Sequence, residues 1–456
     1  MRKSTAAALA ALAMAAVLAG VAACAQGSPT ATASADASVS VGGGGAVSGP
    51  VVGARAFGGH GRLAFVSDGR LYVLDGSRAG HPATLHAVPA AKTAGKTPGS
   101  PAWSPDGRWL AFLVGTPSAD GAVTSGALWL AGPDGQGARQ LLPTVAGYAW
   151  SPTTDELAAT SGLGGKVFAV HPGKPTYPML EVPGLFDGAP AWSPNGRELA
   201  VATVTVTAKK HFTGSAMYLF VPAEGIIVNN FASSRTSAFI IDGWWASSEG
   251  LLAWSDPADS AAAAANGLPL VSYPLGNQRI ATLATTLAYP PFAVVSPAAA
   301  DGLTVVTGGN RYLWSAKTIE ACAVSGGCGP AMDATPPPVN LDPTAVWEHG
   351  EPALAFVHGA AEQTARLWLW IGTGGNPQPL TRAGTGVAAP TWSANTQDIL
   401  YVRGNALWLV ATFNAHGYPS DAPAVRVAGR LFAGKAPNVN GYTAWQSQFA
   451  WHSQPA

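Results

Sequence analysis

Charged residues and cysteines are both scarce in this sequence. Only 11% of the 456 residues are charged, and Lys plus Arg equals Asp plus Glu at 25 each. A chain with no basic excess is a poor candidate for binding nucleic acid, so we expect no nucleic-acid partner. A hydrophobic content of 48% argues against disorder through most of the chain. The 55 glycines and 37 prolines favour an all-β protein with many tight turns.

Motifs for catalysis are also missing. The sequence contains no G-x-S-x-G and no H-E-x-x-H, and its 9 histidines are scattered. The sequence therefore predicts a protein that is not an enzyme, with no catalytic residue, no metal site and no cofactor.

The N-terminal segment has the pattern of an export signal. Arg2 and Lys3 precede an apolar, Ala-rich run at 6–17, and the small residues 21–23 end at Cys24. Residues 21–24 resemble the lipobox of bacterial lipoproteins. The resemblance implies cleavage after residue 23 and a lipid on Cys24, and hence an exported protein anchored to a membrane. An ordinary signal peptide with an incidental cysteine is the alternative.

The segment after Cys24 is predicted to be a flexible tether. Residues 24–59 consist largely of Ser, Thr, Ala and Gly, including four glycines at 42–45, which bury too little apolar surface to fold. The predicted division is therefore a signal peptide at 1–23, a lipidated tether at 24–59 and a folded domain at 60–456. Only Cys322 and Cys328 remain in that domain, and in an oxidising compartment they are predicted to form a disulfide.

A repeated unit runs through the folded domain. Residues 101–112, PAWSPDGRWLAF, closely match residues 190–201, PAWSPNGRELAV. The period is roughly 42 to 53 residues, which is typical of propeller blades. The copies are marked by tryptophans and by turn residues, and these predicted structural positions are Trp103, Asp106, Gly107, Trp150, Trp192, Asn195, Gly196, Trp245, Trp347 and Trp392.

Each repeat predicts a turn between two strands. The Ser-Pro-Asp-Gly at 104–107 suits a type I turn, and the following strand at 108–114 is apolar on both faces. A third strand is predicted at 127–130, with a counterpart at 312–314. Because Asp106, Asp155 and Asp398 recur near the turns, we expect them to cap turns. The recurring tryptophans are explained by packing rather than by sugar stacking.

The two ends of the repeat array complement each other. The first copy lacks its first strand, and the last copy, near residues 442–451, consists of a first strand alone. The sequence therefore predicts an all-β propeller of about eight four-stranded blades, with seven as the second choice. We expect the C-terminal strand to complete the first blade and close the ring.

The pattern W-S-P-D-G-x-x-L-A-F resembles the TolB-like, or PD40, form of the WD40-like repeat. The resemblance implies a propeller lipoprotein of the bacterial cell envelope that binds other proteins. We therefore expect a monomeric, non-enzymatic platform that binds a protein or a wall polymer. A propeller hydrolase or lactonase with a metal in the central channel is the alternative. Sialidase Asp boxes differ in spacing, and the docking motifs of quinoprotein dehydrogenases are missing.

Departures from the repeat mark candidate binding loops. The connection between the second and third strands of the fourth repeat carries the longest basic cluster after the signal segment. Its residues are Lys209, Lys210, His211 and Phe212. Loop variation without function is the alternative interpretation of this cluster.

Overall fold

The computed structural model describes residues 49–90, 95–162, 164–208, 211–257, 266–276, 279–295, 302–308, 310–324, 326–331, 339–348, 351–372, 376–413 and 422–453. Regular structure there is almost entirely β, which confirms the predicted class. The helical elements with defined bounds are helix α1 (Ala54–Phe57) and the 3₁₀ turns at Pro290–Phe292, Glu362–Thr364 and Trp445–Ser447. Within these ranges, no helix has the length and apolar character needed to cross a membrane.

The strands pair in chain order into antiparallel units of four. Unit 1 contains β1 (Gly61–Ser67), β2 (Arg70–Gly76) and β3 (Thr84–Ala87). Unit 2 contains β4 (Thr97–Trp103), β5 (Leu110–Gly115), β6 (Gly126–Ala131) and the start of β7 (Arg139–Trp150). Unit 3 contains the end of β7, β8 (Leu157–Ser161), β9 (Lys166–Val170) and β10 (Tyr177–Glu181). Unit 4 contains β11 (Leu185–Phe186), β12 (Ala191–Trp192), β13 (Leu199–Val206), β14 (Phe212–Val221) and β15 (Ile226–Ser234).

The second half of the chain repeats this order. Unit 5 contains β16 (Ser237–Trp244), β17 (Gly250–Pro257), β18 (Leu268–Pro274) and β19 (Ala281–Thr286). Unit 6 contains β20 (Ala293–Val295), β21 (Gly302–Thr307), β22 (Thr318–Ala323) and β23 (Cys328–Pro330). Unit 7 contains β24 (Val339–Glu348), β25 (Glu351–Gly359), β26 (Arg366–Ile371) and β27 (Gln378–Pro379). Unit 8 contains β28 (Ala388–Trp392), β29 (Asp398–Arg403), β30 (Ala406–Ala411) and β31 (Val425–Gly429), and β32 (Phe449–His452) follows.

Strand β32 returns to the first unit. It pairs antiparallel with β1, with Arg62 opposite His452 and Phe65 opposite Phe449, so the first sheet has the order β3-β2-β1-β32. This pairing confirms the predicted closure, in which the last strand completes the first blade of a β-propeller. Closure leaves both ends of the strand array paired. The number of blades around the ring stays a prediction.

The second strand of each repeat is buried on both faces, as its apolar pattern predicts. In β5, Leu110 and Phe112 pack with residues of unit 1, while Ala111 and Leu113 pack with residues of unit 3. Alternate side chains of one strand thus belong to two different clusters. Each cluster lies between neighbouring units, so the core is a series of layers rather than one central mass.

The folded region begins before the predicted boundary at residue 60. The backbone N–H of Gly53 donates to the carbonyl oxygen of Val427 at 2.8 Å. Phe57, in α1, is fully buried against units 1 and 8. The last part of the predicted tether therefore packs on the propeller, because Phe57 supplies the apolar surface that the rest of that segment lacks.

Unit 6 differs from the prediction at its third strand. Residues 312–314 lie in the connection between β21 and β22, so their prediction as a strand is wrong. The third strand is β22, and the disulfide between Cys322 and Cys328 joins it to β23. The predicted disulfide is confirmed.

Candidate functional site

The repeat tryptophans connect neighbouring units. The indole Nε1 of Trp103 donates to the carbonyl oxygen of Ala450 in unit 1 at 3.1 Å. The same bond recurs between other first strands and the preceding unit, from Trp150 to Ala102, Trp192 to Ala149, Trp244 to Ala191 and Trp392 to Thr344. These side chains therefore contribute a hydrogen bond between units as well as packing.

Unit 5 shows a shift of one residue in this pattern. Trp244, not the predicted Trp245, donates to the preceding unit, while Trp245 is fully buried and donates to Ser272 Oγ at 3.0 Å. The pairing of β16 with β17 places Trp244 opposite Leu251, as Trp103 lies opposite Leu110, so Trp244 holds the repeat position and Trp245 follows it where unit 2 has Ser104. Trp347 lies on β24 opposite Pro352.

The predicted turn residues close the connection between first and second strands. Ser104 Oγ donates to Asp106 Oδ1 at 2.6 Å, and the backbone N–H of Arg108 donates to the same oxygen at 2.9 Å. Burial favours a higher pKa for Asp106, but these bonds and the guanidinium of Arg108 hold that pKa below its ordinary value. Asn195 accepts the equivalent bonds, from Ser193 Oγ and the N–H of Arg197, at 2.7 and 2.8 Å.

Asp155 and Asp398 do not cap turns, in contrast to the prediction. Asp398 Oδ2 lies 3.1 Å from Nδ1 of His60, across the junction between units 8 and 1. Asp155 lies 3.6 Å from a guanidinium nitrogen of Arg108 in unit 2. Both carboxylates contact a neighbouring unit, because the turns of successive units lie side by side at this end of the ring.

The chain between β31 and β32 packs against several units, and we call residues 430–448 the strap. Near its start, the carbonyl oxygen of Phe432 accepts a bond from Asn405 Nδ2 in unit 8 at 2.9 Å. Further along, the carbonyl oxygen of Asn440 accepts from the N–H of Leu313 in unit 6 at 2.8 Å. The strap therefore leaves unit 8 and contacts unit 6 before it reaches β32.

The end of the strap contacts unit 2. The N–H of Ala444 donates to the carbonyl oxygen of Asp120 at 2.9 Å, and Gln448 Nε2 donates to that of Gly121 at 2.9 Å. Units 2 and 6 are four positions apart in chain order. The strap therefore bonds to the connections between second and third strands of units 2, 6 and 8, which lie at one end of the ring.

The predicted basic loop lies at the same end of the ring as the strap. His211 is exposed, and its carbonyl oxygen accepts from the N–H of Thr207 at 2.8 Å. Phe212 begins β14 and pairs with Val206. Lys209 and Lys210 lie outside the described residues, as does Cys24.

A partly open cavity of about 220 Å³ lies beneath the strap. Asp342 Oδ2 accepts the N–H of Ala389 at 2.9 Å. Asp342 Oδ1 and Gln446 Oε1 are both buried without a hydrogen-bond partner. The lining comes from units 6, 7 and 8 and from the strap, and the described residues in it are Pro290, Pro291, Val294, Asp342, Pro343, Thr344, Ala389, Pro390 and Gln446. The cavity thus combines apolar walls with two unpaired acceptors.

The surroundings of Asp342 raise the pKa of its carboxyl. Burial raises its pKa to about 6, although the bond from Ala389 opposes that shift. The stacked rings of Tyr289 and Tyr442, with centroids 3.7 Å apart, lie close by. Burial raises the pKa of Tyr442, and the carboxylates of Asp342 and Asp120 raise it further.

Two other carboxyls occupy comparable positions in units 4 and 5. Asp187 follows β11 and Asp242 lies in the irregular part of β16. Burial raises the pKa of Asp187 to about 6, with a smaller contribution from Asp256, and burial also raises the pKa of Asp242. In the described part of the chain, no three His, Cys, Asp or Glu side chains form a group that could hold a metal ion.

Sequence reasoning missed Asp342. In three units the strand that faces inwards has a non-glycine residue with positive φ directly before proline, at Ser100, Asp342 and Ala389. The register of the strand shifts at each of these positions. The sequence signal that could have found Asp342 was a charged residue directly before proline, at a position where the other two of these units have Ser and Ala.

Comparisons with known proteins give matches among solved structures alone. No family model matches the chain, and no curated protein matches it. Pyrococcus horikoshii acylaminoacyl peptidase matches with 10% identity and a TM-score of 0.43, over 74% of this chain and 52% of the peptidase. The chain thus spans about half the length of that peptidase. TolB from Acinetobacter baumannii matches with 13% identity and a TM-score of 0.31, over 79% of each chain. The dihydro-heme d1 dehydrogenase NirN matches with 14% identity and a TM-score of 0.47, over 81% of this chain and 73% of NirN.

Proposed function

We propose that the protein is a lipid-anchored, extracytoplasmic propeller that acts as a non-enzymatic binding platform for a protein or a wall polymer at the cell envelope. The observation that carries the proposal is the pairing of β32 with β1. A closed ring holds its connecting loops on a rigid scaffold, which is the arrangement that binding surfaces use. The Cys322–Cys328 disulfide supports an oxidising compartment.

The face that carries the strap is the candidate binding face. It presents the connections between second and third strands, including His211 at the edge of the predicted basic loop. Exposed lysines in such a loop would favour an acidic partner surface and would speed its encounter. The opposite face carries the turns between first and second strands, whose side chains are used in contacts between units.

Site-specific photocrosslinking in intact cells tests this proposal. A crosslinking residue at His211 is compared with one at Glu224, which is also exposed and lies in the connection between β14 and β15 at the opposite face of the same unit. We expect one reproducible partner from position 211 and none from position 224. That adduct should be lost in a K209A/K210A variant. Equal adducts from both positions, or none that recur, would count against the platform.

The lipid anchor has its own test. Replacing Cys24 with Ala is expected to move the protein from the membrane fraction to the soluble fraction. The parent chain, which keeps Cys24, is expected in the membrane fraction. A matched C322A/C328A variant keeps Cys24 and should stay with the membrane. If C24A stayed in the membrane fraction, the proposed lipid anchor would be wrong, and the platform proposal would be unaffected.

A metal-dependent hydrolase or lactonase remains the second candidate, and the carboxyls of Asp187 and Asp242 are the observation that favours it. Burial raises the pKa of both, Asp187 directly after β11 and Asp242 within β16. The test is ester and lactone hydrolysis by the metal-loaded full chain, with D187N and D242N as variants. Metal-dependent turnover that both variants abolish would replace the platform proposal.

A further inference from the structure

The cavity beneath the strap has an unmet need for hydrogen-bond donors. Asp342 is 7% exposed, and its Oδ1 atom has no partner, nor does Oε1 of Gln446. A buried acceptor without a donor is unfavourable, and a carboxylate oxygen more so than an amide oxygen. A ligand that brings donors to both atoms would relieve that cost.

The walls of the cavity supply few donors of their own. Four of the described lining residues, Pro290, Pro291, Pro343 and Pro390, have no backbone N–H. None of the described lining residues is Lys, Arg or His, so no side chain there neutralises the carboxylate. Proline rings and the Val294 side chain instead offer apolar surface, which suits the methylene groups of a cationic chain.

The size and ligand chemistry of the cavity narrow the class of ligand. A volume of about 220 Å³ is below that of sites for drug-sized molecules, so the cavity suits the end of a chain or a small molecule. Calcium requires six to eight oxygen ligands, whereas Asp342 is the single carboxylate among the described lining residues. A primary ammonium has three donors and one positive charge, which matches one carboxylate and one amide oxygen.

We propose that this cavity binds a primary alkylammonium group, with Asp342 as its counter-ion and Gln446 as a second acceptor. The prolines hold the attached methylene chain. The inference stands apart from the platform role, because it concerns a cavity under the strap and not the loops of the face. A lysine-like side chain or the amino terminus of a peptide would present the required group.

The test uses n-butylammonium chloride as the probe and the full chain in detergent, in an amine-free buffer near neutral pH. Isothermal titration and saturation-transfer NMR are expected to show saturable binding, with a dissociation constant on the order of millimolar for so small a ligand. n-Butanol, which has the same length and no charge, should bind at least about tenfold more weakly. Equal binding of butanol, or no saturation by butylammonium, would overturn the proposal.

Variants test whether butylammonium binding depends on the residues of this cavity rather than on carboxylates elsewhere in the chain. Asp342→Asn keeps the shape and removes the charge, and is expected to weaken butylammonium binding about tenfold or more. Gln446→Leu should weaken it about three- to tenfold. Asp187→Asn is the matched control, because it removes a half-buried carboxylate with a raised pKa outside the cavity, and should leave affinity within about twofold. Unchanged affinity in both cavity variants, or displacement of butylammonium by calcium at equal concentration, would contradict the assignment.

Discussion

Trp103 and Ala450 are joined by a hydrogen bond of 3.1 Å, from the indole N–H to the carbonyl oxygen, although 347 residues separate them in the chain. Trp103 lies on β4 of unit 2 and Ala450 on β32, which completes unit 1. The bond therefore ties the closing strand to the next unit. Equivalent bonds join other first strands to the preceding unit. The tryptophan at the repeat position in unit 2 therefore also holds the closing strand in place.

Trp103→Phe is expected to lower the free energy of unfolding by about 1–2 kcal/mol, because it keeps most of the packing and leaves the Ala450 carbonyl with one partner fewer. Urea denaturation of the full chain measures the change. The matched control is Trp129→Phe, since Trp129 is half-buried and its Nε1 has no partner. That variant should change stability by less than about 0.5 kcal/mol or raise it slightly. Equal losses in the two variants would show that the indole bond contributes nothing.

Gly107→Ala is expected to destabilise the turn between β4 and β5. Gly107 has a φ of +68°, and a Cβ there would clash with the imidazole of His452, which packs beside Trp103. Gly137→Ala is the control, because Gly137 has a φ of +67° and open space around its Cα. Both variants bear the backbone cost of roughly 1 kcal/mol. Gly107→Ala should lose about 1–2 kcal/mol more, because the imidazole of His452 must leave its position beside Trp103. Identical losses would mean that His452 moves freely.

The features that could be predicted from the sequence are those that recur. The turn at Asp106 and Gly107 repeats with its side-chain bonds at Asn195 and Gly196, so pattern and geometry agree. Ring closure followed from what the first and last copies lack. Because the same strand-and-turn unit occurs several times in the sequence, a misaligned copy does not change the predicted fold.

The features that the sequence did not reveal depend on one unit alone. Trp245 was predicted one residue out of step because Trp244 and Trp245 are consecutive in the sequence, and only the strand pairing shows that Trp244 holds the repeat position. Among the residues that the structure describes, the strap has no counterpart in other units, and its contacts with Asp120 and Leu313 join positions far apart in the chain. Asp342 became a candidate only when the strap placed Gln446 beside it, which no local pattern encodes.

Removing the disulfide is expected to cost about 2 kcal/mol of stability. Cys322 and Cys328 are six positions apart, and closing so short a loop removes little entropy from the unfolded chain. Thermal or urea unfolding of C322A/C328A should match that of the parent chain under dithiothreitol. The reductant should leave the variant unchanged. A parent chain that is indifferent to dithiothreitol would show that the bond does not stabilise the fold.

The Asp342 carboxyl predicts a specific dependence of stability on pH. Burial raises its pKa from 3.8 to about 6 in the folded chain, so between these values the folded state holds a proton that the unfolded state has released. The stabilisation of the folded state by this bound proton is fully present below pH 3.8 and is lost as the pH rises through 6. Above pH 7 the ionised carboxylate remains buried, at a cost of about 2–3 kcal/mol. Tyr289, Tyr442 and Asp120 are the titratable groups near Asp342 in the described part of the chain, and the tyrosines stay neutral in this window because burial raises the pKa of both.

Asp342→Asn should therefore stabilise the protein at pH 8 by up to about 2 kcal/mol and have little effect at pH 4, because asparagine keeps the acceptor for the Ala389 N–H and never ionises. Urea denaturation of both chains in amine-free buffers from pH 4 to 8 measures the difference. The titration of Asp187 is common to both chains and cancels. Asp68→Asn, at an exposed carboxylate 3.8 Å from Arg430, is the control and should stay within about 0.5 kcal/mol throughout. A difference between D342N and the parent that is the same at pH 4 and pH 8 would show that the Asp342 carboxyl does not titrate between them.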